Sequence, residues 1–155
     1  MKAIISIAFA LFSSIAFAQT KVDSVTFYLK ELIPNKQVTR ISALDKAAEI
    51  HAKYLIANKK ACHLQVENPN HYSARNRAES AGDTGGYGGY SEVLWAGEPY
   101  LSSSVMESIY YFKGSPMHWN IITKSTQISA NVKFGYCRIT TPEWDVCVIV
   151  FGSYL

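Results

Sequence analysis

"VCVIVF", Val146–Phe151, is apolar at every position. A strand with one wet face alternates apolar and polar residues, because successive side chains point to opposite faces. A continuous apolar run says that both faces are covered. The preceding segment, Ser129 to Ile139, is joined to it across Thr141-Pro142-Glu143, a turn-forming stretch. Together they read as a β-hairpin, with strands at Ser129–Ile139 and Asp145–Phe151. The cover must come from helices in the first two-thirds of the chain. The expected fold is therefore α+β: a three-layer α/β/α sandwich with a small antiparallel sheet between helices.

Upstream of the hairpin, Asp23 to Leu32 reads as a short amphipathic helix ended by Pro34-Asn35. Ser42, with Asp45 three residues on, has the pattern of an N-cap. Leu44, Ala48, His51 and Leu55 follow at helical spacing, predicting a helix to about Ala57-Asn58. Lys59-Lys60 at its end suits the helix dipole. Ala61 to Tyr90 is polar and loop-rich and ends in "GDTGGYGGY". That run lacks the Gly-Lys-Ser/Thr ending of a phosphate loop. Gly89 to Val93 lacks the second glycine of a nucleophile elbow. Glu92 to Ala96 reads as a short strand. Ser102 is the expected cap of a third helix with Val105, Ile109 and Phe112 as its apolar stripe, closed by Gly114. Ser115 can cap the next helix, with Pro116 at its first position, where the missing N–H costs nothing.

The N-terminus has the form of a secretory signal peptide at residues 1–18. Lys2 is followed by an apolar, charge-free stretch from Ala3 to Phe17 and a small-x-small site at Ala16-Phe17-Ala18. Cleavage near Ala18 would leave one domain, residues 19–155, exported to the periplasm or the extracellular space. The mature chain is expected to have no transmembrane segment. The formal charge of +3 is too small, and the basic residues too scattered, to argue for nucleic acid or a polybasic membrane contact. Export favours a disulfide among the three cysteines. Cys137 and Cys147 flank the expected turn, and a hairpin turning at Thr141–Glu143 would set them opposite each other. Cys62 is then left over as a thiol.

The candidate site residues come from separate segments. His118 falls in the first turn of the helix after Ser115-Pro116, where the positive end of the helix dipole disfavours imidazolium. A neutral imidazole suits a metal ligand, a general base or a plain hydrogen-bonding role. His63 lies just past the second helix. Glu92 is a carboxylate between a glycine loop and an apolar strand, a position that calls for a partner. His51, on the apolar stripe, reads as a packed core histidine, and His71 as solvated.

These segments resemble the CAP superfamily, or SCP domain, of cysteine-rich secretory, antigen 5 and pathogenesis-related proteins, and within it the bacterial exported branch. "ALDKAAEIHAKYLIANKKACH" looks like the family's alanine-rich helix ending near its first site histidine. "RAESAG" and "GYSEVLWAG" look like its arginine, Ala-Gly and Gly-Glu-Asn segments. "YFKGSPMHWNII" is similar to its Trp-x-x-Ser-Pro-x-His segment, and "NVKFGYC" and "DVCVIVFG" to its closing hairpin. The resemblance implies an α/β/α sandwich and places the cleft histidines on His63 and His118 and the first glutamate on Glu92. The second family glutamate falls on Ser115, the usual tryptophan on Phe112 and the usual asparagine on Val93. Glu107 and Tyr111 are weaker candidates nearby.

By resemblance, His63, His118 and Glu92 are candidate ligands for a divalent metal, zinc preferred. The implied function is a secreted binding or interaction module without established catalysis. Its implied partners are a small apolar ligand, a peptide or a cell-surface component. The alternative is a metal-dependent hydrolase of peptides or cell-wall material. In that reading two histidines and a carboxylate activate a zinc-bound water.

Overall fold

The computed structural model describes residues 24–99, 104–127 and 131–153. The segment read as a signal peptide, residues 1–18, lies outside the described residues. Residues 24–32 are helical (α1). They are followed by β1 (Gln37–Arg40), α2 (Ser42–Asn58), a 3-10 turn (Pro69–His71), α3 (Ala74–Ser80), β2 (Gly89–Gly97), α4 (Val105–Gly114), α5 (Pro116–Gln127), β3 (Asn131–Thr140) and β4 (Asp145–Ser153). The four strands form one sheet in the order β1-β3-β4-β2.

β4 is the centre of the molecule, buried along Asp145–Gly152. Its side chains alternate between two separate cores. Cys147, Ile149 and Phe151 join Val25, Leu29, Ile109, Phe112 and Ile122 on one face. Val146, Val148 and Val150 join Leu44, Ala48, Leu55 and Ala78 on the other. One helical layer is thus α1, α4 and α5, the other α2 and α3. The continuous apolar run is the mark of this two-sided burial, and the architecture is α+β with the sheet between helical layers.

The sheet is mixed, which corrects the antiparallel expectation. β1 pairs parallel with β3, Val38 opposite Val132, whereas β3–β4 and β2–β4 are antiparallel. Asp45 ties this corner together. Its Oδ1 accepts from Arg40 Nε and from the Tyr136 amide, each at 2.8 Å. The N-cap of α2 is Ile41, without a side-chain cap, and Ser42 is already helical. The strand β3 passes so close beneath α2 that a Cβ on Gly135 would run into the Leu44 carbonyl carbon and the Asp45 amide.

Two further expectations change. The stretch from Ala61 to Tyr90 contains α3, capped by Ser73 and Asn76 in a reciprocal capping box. The cap of α4 is Ser104, which receives the Glu107 amide while Glu107 reaches back to the Ser104 amide; Ser102 lies outside the described residues. The expected Cys137–Cys147 disulfide does not form, and Cys62, Cys137 and Cys147 are all free. The hairpin pairs Cys137 with Val148 and Arg138 with Cys147. This one-residue offset sends the two thiols to opposite faces of the sheet. Asp145, buried at the strand start, fixes the register by accepting Arg138 on both oxygens, at 3.0 and 2.6 Å, and Thr140 at 2.8 Å.

Candidate functional site

The segment after α2 turns back along β2 because Lys59 closes the helix in the left-handed conformation, φ 46°. This brings His63 to Glu92. Glu92 stands on β2 and is 7 % exposed. Its Oε1 accepts from His63 Nδ1 at 3.0 Å. Its Oε2 accepts from Arg77 Nη2 at 2.5 Å. A carboxylate accepts, so the His63 proton sits on Nδ1 and the Nε2 lone pair points away from Glu92.

Arg77, on α3, is fully buried. Besides Glu92 its guanidinium donates to the carbonyls of His71 at 3.0 Å and His63 at 3.4 Å, with Tyr72 at 3.5 Å. One side chain therefore holds the carboxylate and both ends of the 63–72 loop. His51, on α2, backs the same group. Its Nε2 donates to the Cys62 carbonyl at 2.7 Å and its Nδ1 accepts from Gln65 Nε2 at 2.9 Å. Its Nε2 also lies 3.6 Å from Glu92 Oε1. Burial holds the His51 pKa below the usual histidine value, against the pull of Glu92 and with the help of Arg77. His51 is thus buried, as the sequence suggests, but as part of a polar network behind Glu92.

His118 sits in the first turn of α5, its Nδ1 2.8 Å from the Ser115 hydroxyl. Partial burial, and after it the nearness of His63, lower its pKa. His63 and His118 line one cleft of about 250 Å³ with Ala61, Cys62, Leu94, Trp95, Ala96 and Tyr111. Trp95 and Tyr111 meet edge to face, centroids 4.9 Å apart, and Tyr111 and Phe112 lie 6.1 and 5.2 Å from the His118 ring. Tyr111 is thus a wall of the cleft, and Ser115 orients His118. Glu107 is occupied in the cap of α4 and does not line this cleft.

The structure brings His63 to Glu92 and sets His118 across the same cleft from His63, but the three do not converge. Among the described residues no group of three His, Cys, Asp or Glu side chains is placed to share a metal ion. An ion drawing on Glu92 would displace a buried guanidinium and leave its charge uncompensated. The side chains as placed do not fit a zinc ion held by His63, His118 and Glu92 together. Arg77 and Gln65 are parts of the site that the sequence pattern alone does not single out. The signal for Arg77 was its place at the head of "RAESAG", one of the segments that carry the family resemblance.

No family model matches the chain, and no curated protein matches it significantly in sequence. Solved structures do match. An outer surface protein from Borrelia burgdorferi superposes with a TM-score of 0.64 at 18 % identity, covering 88 % of this chain and 94 % of that one. An extracellular protein containing an SCP domain, from Bacillus anthracis, superposes with a TM-score of 0.56 at 14 % identity. That match covers 80 % of this chain and 36 % of the Bacillus chain, so the present chain spans about a third of that protein's length. No helix among the described residues is long and apolar enough to cross a membrane. The two-core sandwich, the sheet between helical layers and these superpositions agree: the chain has a CAP/SCP-like fold.

Proposed function

We propose that the chain is an exported binding module. Its ligand site is the cleft between His63 and His118, with Trp95 and Tyr111 as an aromatic wall. The export half rests on the leader-like segment at residues 1–18 and accords with the extracellular and outer-surface settings of the two structural neighbours. The binding half rests on one observation: both oxygens of Glu92 are engaged, by Arg77 and by His63. A carboxylate so committed orients an imidazole rather than taking a proton or activating water. The hydrolase alternative needs a free general base beside the histidines, and Glu92 was its strongest candidate. The cleft instead offers two outward imidazole nitrogens and an apolar, aromatic surface. That combination suits a ligand with an apolar body and one polar group.

The test is a fragment screen by NMR on the isotope-labelled protein. Fragments that bind are expected to shift the His63 and His118 ring signals and the Trp95 indole together, and to lose this effect in the His63→Ala/His118→Ala double variant. Fragments that gather elsewhere would count against the reading. Peptide or cell-wall hydrolysis that disappears in Glu92→Gln would replace it with the hydrolase.

A further inference from the structure

His63 is a wall of two separate cavities. One, of about 310 Å³, is lined in part by Glu92. The other, of about 250 Å³, is the cleft shared with His118, which Glu92 does not line. The bond from His63 Nδ1 to Glu92 fixes what this ring offers. A carboxylate already held by Arg77 only accepts, so the proton stays on Nδ1 and Nε2 keeps its lone pair. The two nitrogens of an imidazole point to nearly opposite sides. With Nδ1 turned to Glu92, Nε2 is left for the cleft. His118 is not fixed in this way, because its Nδ1 partner is the Ser115 hydroxyl, which can donate or accept. The cleft has one committed acceptor, at His63, and one adaptable imidazole, at His118.

Charge, size and ring geometry narrow the ligand further. Among the described residues that line the cleft there is no Asp, Glu, Lys or Arg. Burial, and after it His63, lower the His118 pKa, so this ring is not a standing cation at neutral pH. A carboxylate or phosphate finds no cationic partner here. An ammonium finds no free anion, since Glu92 is taken up by Arg77 and His63. Burying either charge unpaired costs far more than burying a hydroxyl. A volume of about 250 Å³ lies below the ~300 Å³ at which drug-sized pockets begin, so the cleft has room for one ring with a short substituent. The rings around it are tilted against one another: 66° for Trp95 and Tyr111, 71° for Tyr111 and Phe112, 56° for Phe112 and His118. Tyr111 is still 46 % exposed. A further aromatic ring can join such a cluster edge to face, whereas an aliphatic ring gains its burial alone.

We infer that the ligand of this cleft is an uncharged phenol, with its ring against Trp95 and Tyr111 and its hydroxyl donating to His63 Nε2. A phenol is a stronger donor than an alcohol, and with a pKa of about 10, as in tyrosine, it is uncharged at neutral pH. The inference rests on the reading of the His63–His118 cleft as a ligand site and names the chemistry of its ligand. A tyrosine side chain and a small free phenol share that chemistry.

The test titrates the full mature chain at pH 7.5 with 4-ethylphenol, 4-ethylanisole, 4-ethylcyclohexanol and 4-ethylbenzoate, following the His63, His118 and Trp95 signals by NMR. 4-Ethylphenol should bind at least tenfold more tightly than each of the others, which lack in turn the donor, the aromatic ring and the neutral charge. His63→Asn puts an amide N–H where Nδ1 stands, so the bond to Glu92 is kept, but it has no acceptor where Nε2 stands. In this variant the preference for the phenol over the anisole should fall to within about twofold. If the variant does not fold, the comparison of phenol with anisole on the unaltered chain still decides. Equal binding of the phenol and the anisole, tighter binding of the benzoate, or a preference that survives His63→Asn would overturn the inference. Ligands that still shift all three signals in that event leave the binding-module reading standing, whereas an absence of shifts from every ligand removes both. N-Acetyltyrosine amide, set against 4-ethylphenol, separates the two sources. Tighter binding of the amide points to a tyrosine of a protein and tighter binding of the free phenol to a small molecule, and either upholds the phenol.

Discussion

Arg77 and Glu92 form a salt bridge at 2.5 Å in which the guanidinium is wholly buried and the carboxylate side chain 4 % exposed. An ion pair taken out of water costs desolvation that its own attraction barely repays, so stability alone does not explain it. Its geometry does something an apolar pair would not. Arg77 gathers the carbonyls of His63, His71 and Tyr72, and Glu92 fixes the ring of His63. The pair is the post from which the cleft is hung.

Removing one partner should therefore be worse than removing both. Arg77→Ala leaves Glu92 buried beside an imidazole and frees the 63–72 loop. A loss of about 3–5 kcal/mol is expected for breaking such a pair. The double variant Arg77→Met/Glu92→Leu should be less destabilised than the Arg77→Ala single variant. Urea unfolding of the variants measures this. A single variant within 1 kcal/mol of wild type would show that the pair bears no weight.

His51 gives the pH dependence. Burial lowers its pKa from the usual 6.5, and His118 is lowered in the same direction. Between the lowered value and about 6.5 the unfolded chain holds more protons than the folded one, so stability rises with pH in that window and is lost as pH falls through it. The slope from His51 is at most about 1.4 kcal/mol per pH unit, and His118, being partly exposed, adds less. Unfolding measured from pH 7.5 down to pH 5 should show this decline, and His51→Gln should flatten it. A stability that holds level or increases over that range would contradict the assignment of a neutral, doubly bonded His51.

At Gly135 the prediction is steric. The backbone of α2 lies over this residue of β3, and a methyl group has nowhere to go without parting helix from strand. Gly135→Ala should cost about 3 kcal/mol, in the range of overpacked cores. Gly114, where an added Cβ meets nothing within 4 Å, is the control: Gly114→Ala should be neutral or slightly stabilising.

What could be read from the sequence follows from which signals are local. The apolar run at Val146–Phe151 announced a strand covered on both sides, and the alternation of Cys147, Ile149 and Phe151 with Val146, Val148 and Val150 between two cores is the physical content of that run. β1 is not legible in the sequence because "QVTR" is four residues long and its parallel partner lies some ninety residues away. Nothing near it in sequence signals the pairing. α3, "ARNRAES", is short and polar, held by its capping box and by Ala78 in the core. In the site, the aromatic wall and the histidines lie on recognisable segments. Arg77 was harder, because a charged side chain is read by default as solvated. Its burial depends on four acceptors brought from three other segments, a fact of tertiary structure alone.

The thiols supply a last prediction. A turn centred on Thr141–Glu143 suggested that Cys137 and Cys147 face each other, but the strands pair Arg138 with Cys147, and a slip of one residue exchanges the faces of a strand. Cys147 goes to the core of α1, α4 and α5, and Cys137 packs at the α2 side. No rotamer change can bridge them through the sheet. Burial also pushes both thiols up, Cys137 to about 11 and Cys147 to about 12, so neither offers thiolate near neutral pH. Cys62, in the cleft wall, is partly exposed, as is Cys137, whereas Cys147 is buried. A thiol reagent at pH 7.5 should label Cys62 ahead of Cys137 and leave Cys147 untouched in the native protein, and label all three after unfolding. Reductant should leave the thermal midpoint unchanged, and Cys137→Ser should not produce the loss of 2–5 kcal/mol that follows removal of a native disulfide. A midpoint that drops on reduction, or a single titratable thiol in the unfolded chain, would mean that the strands pair in the other register.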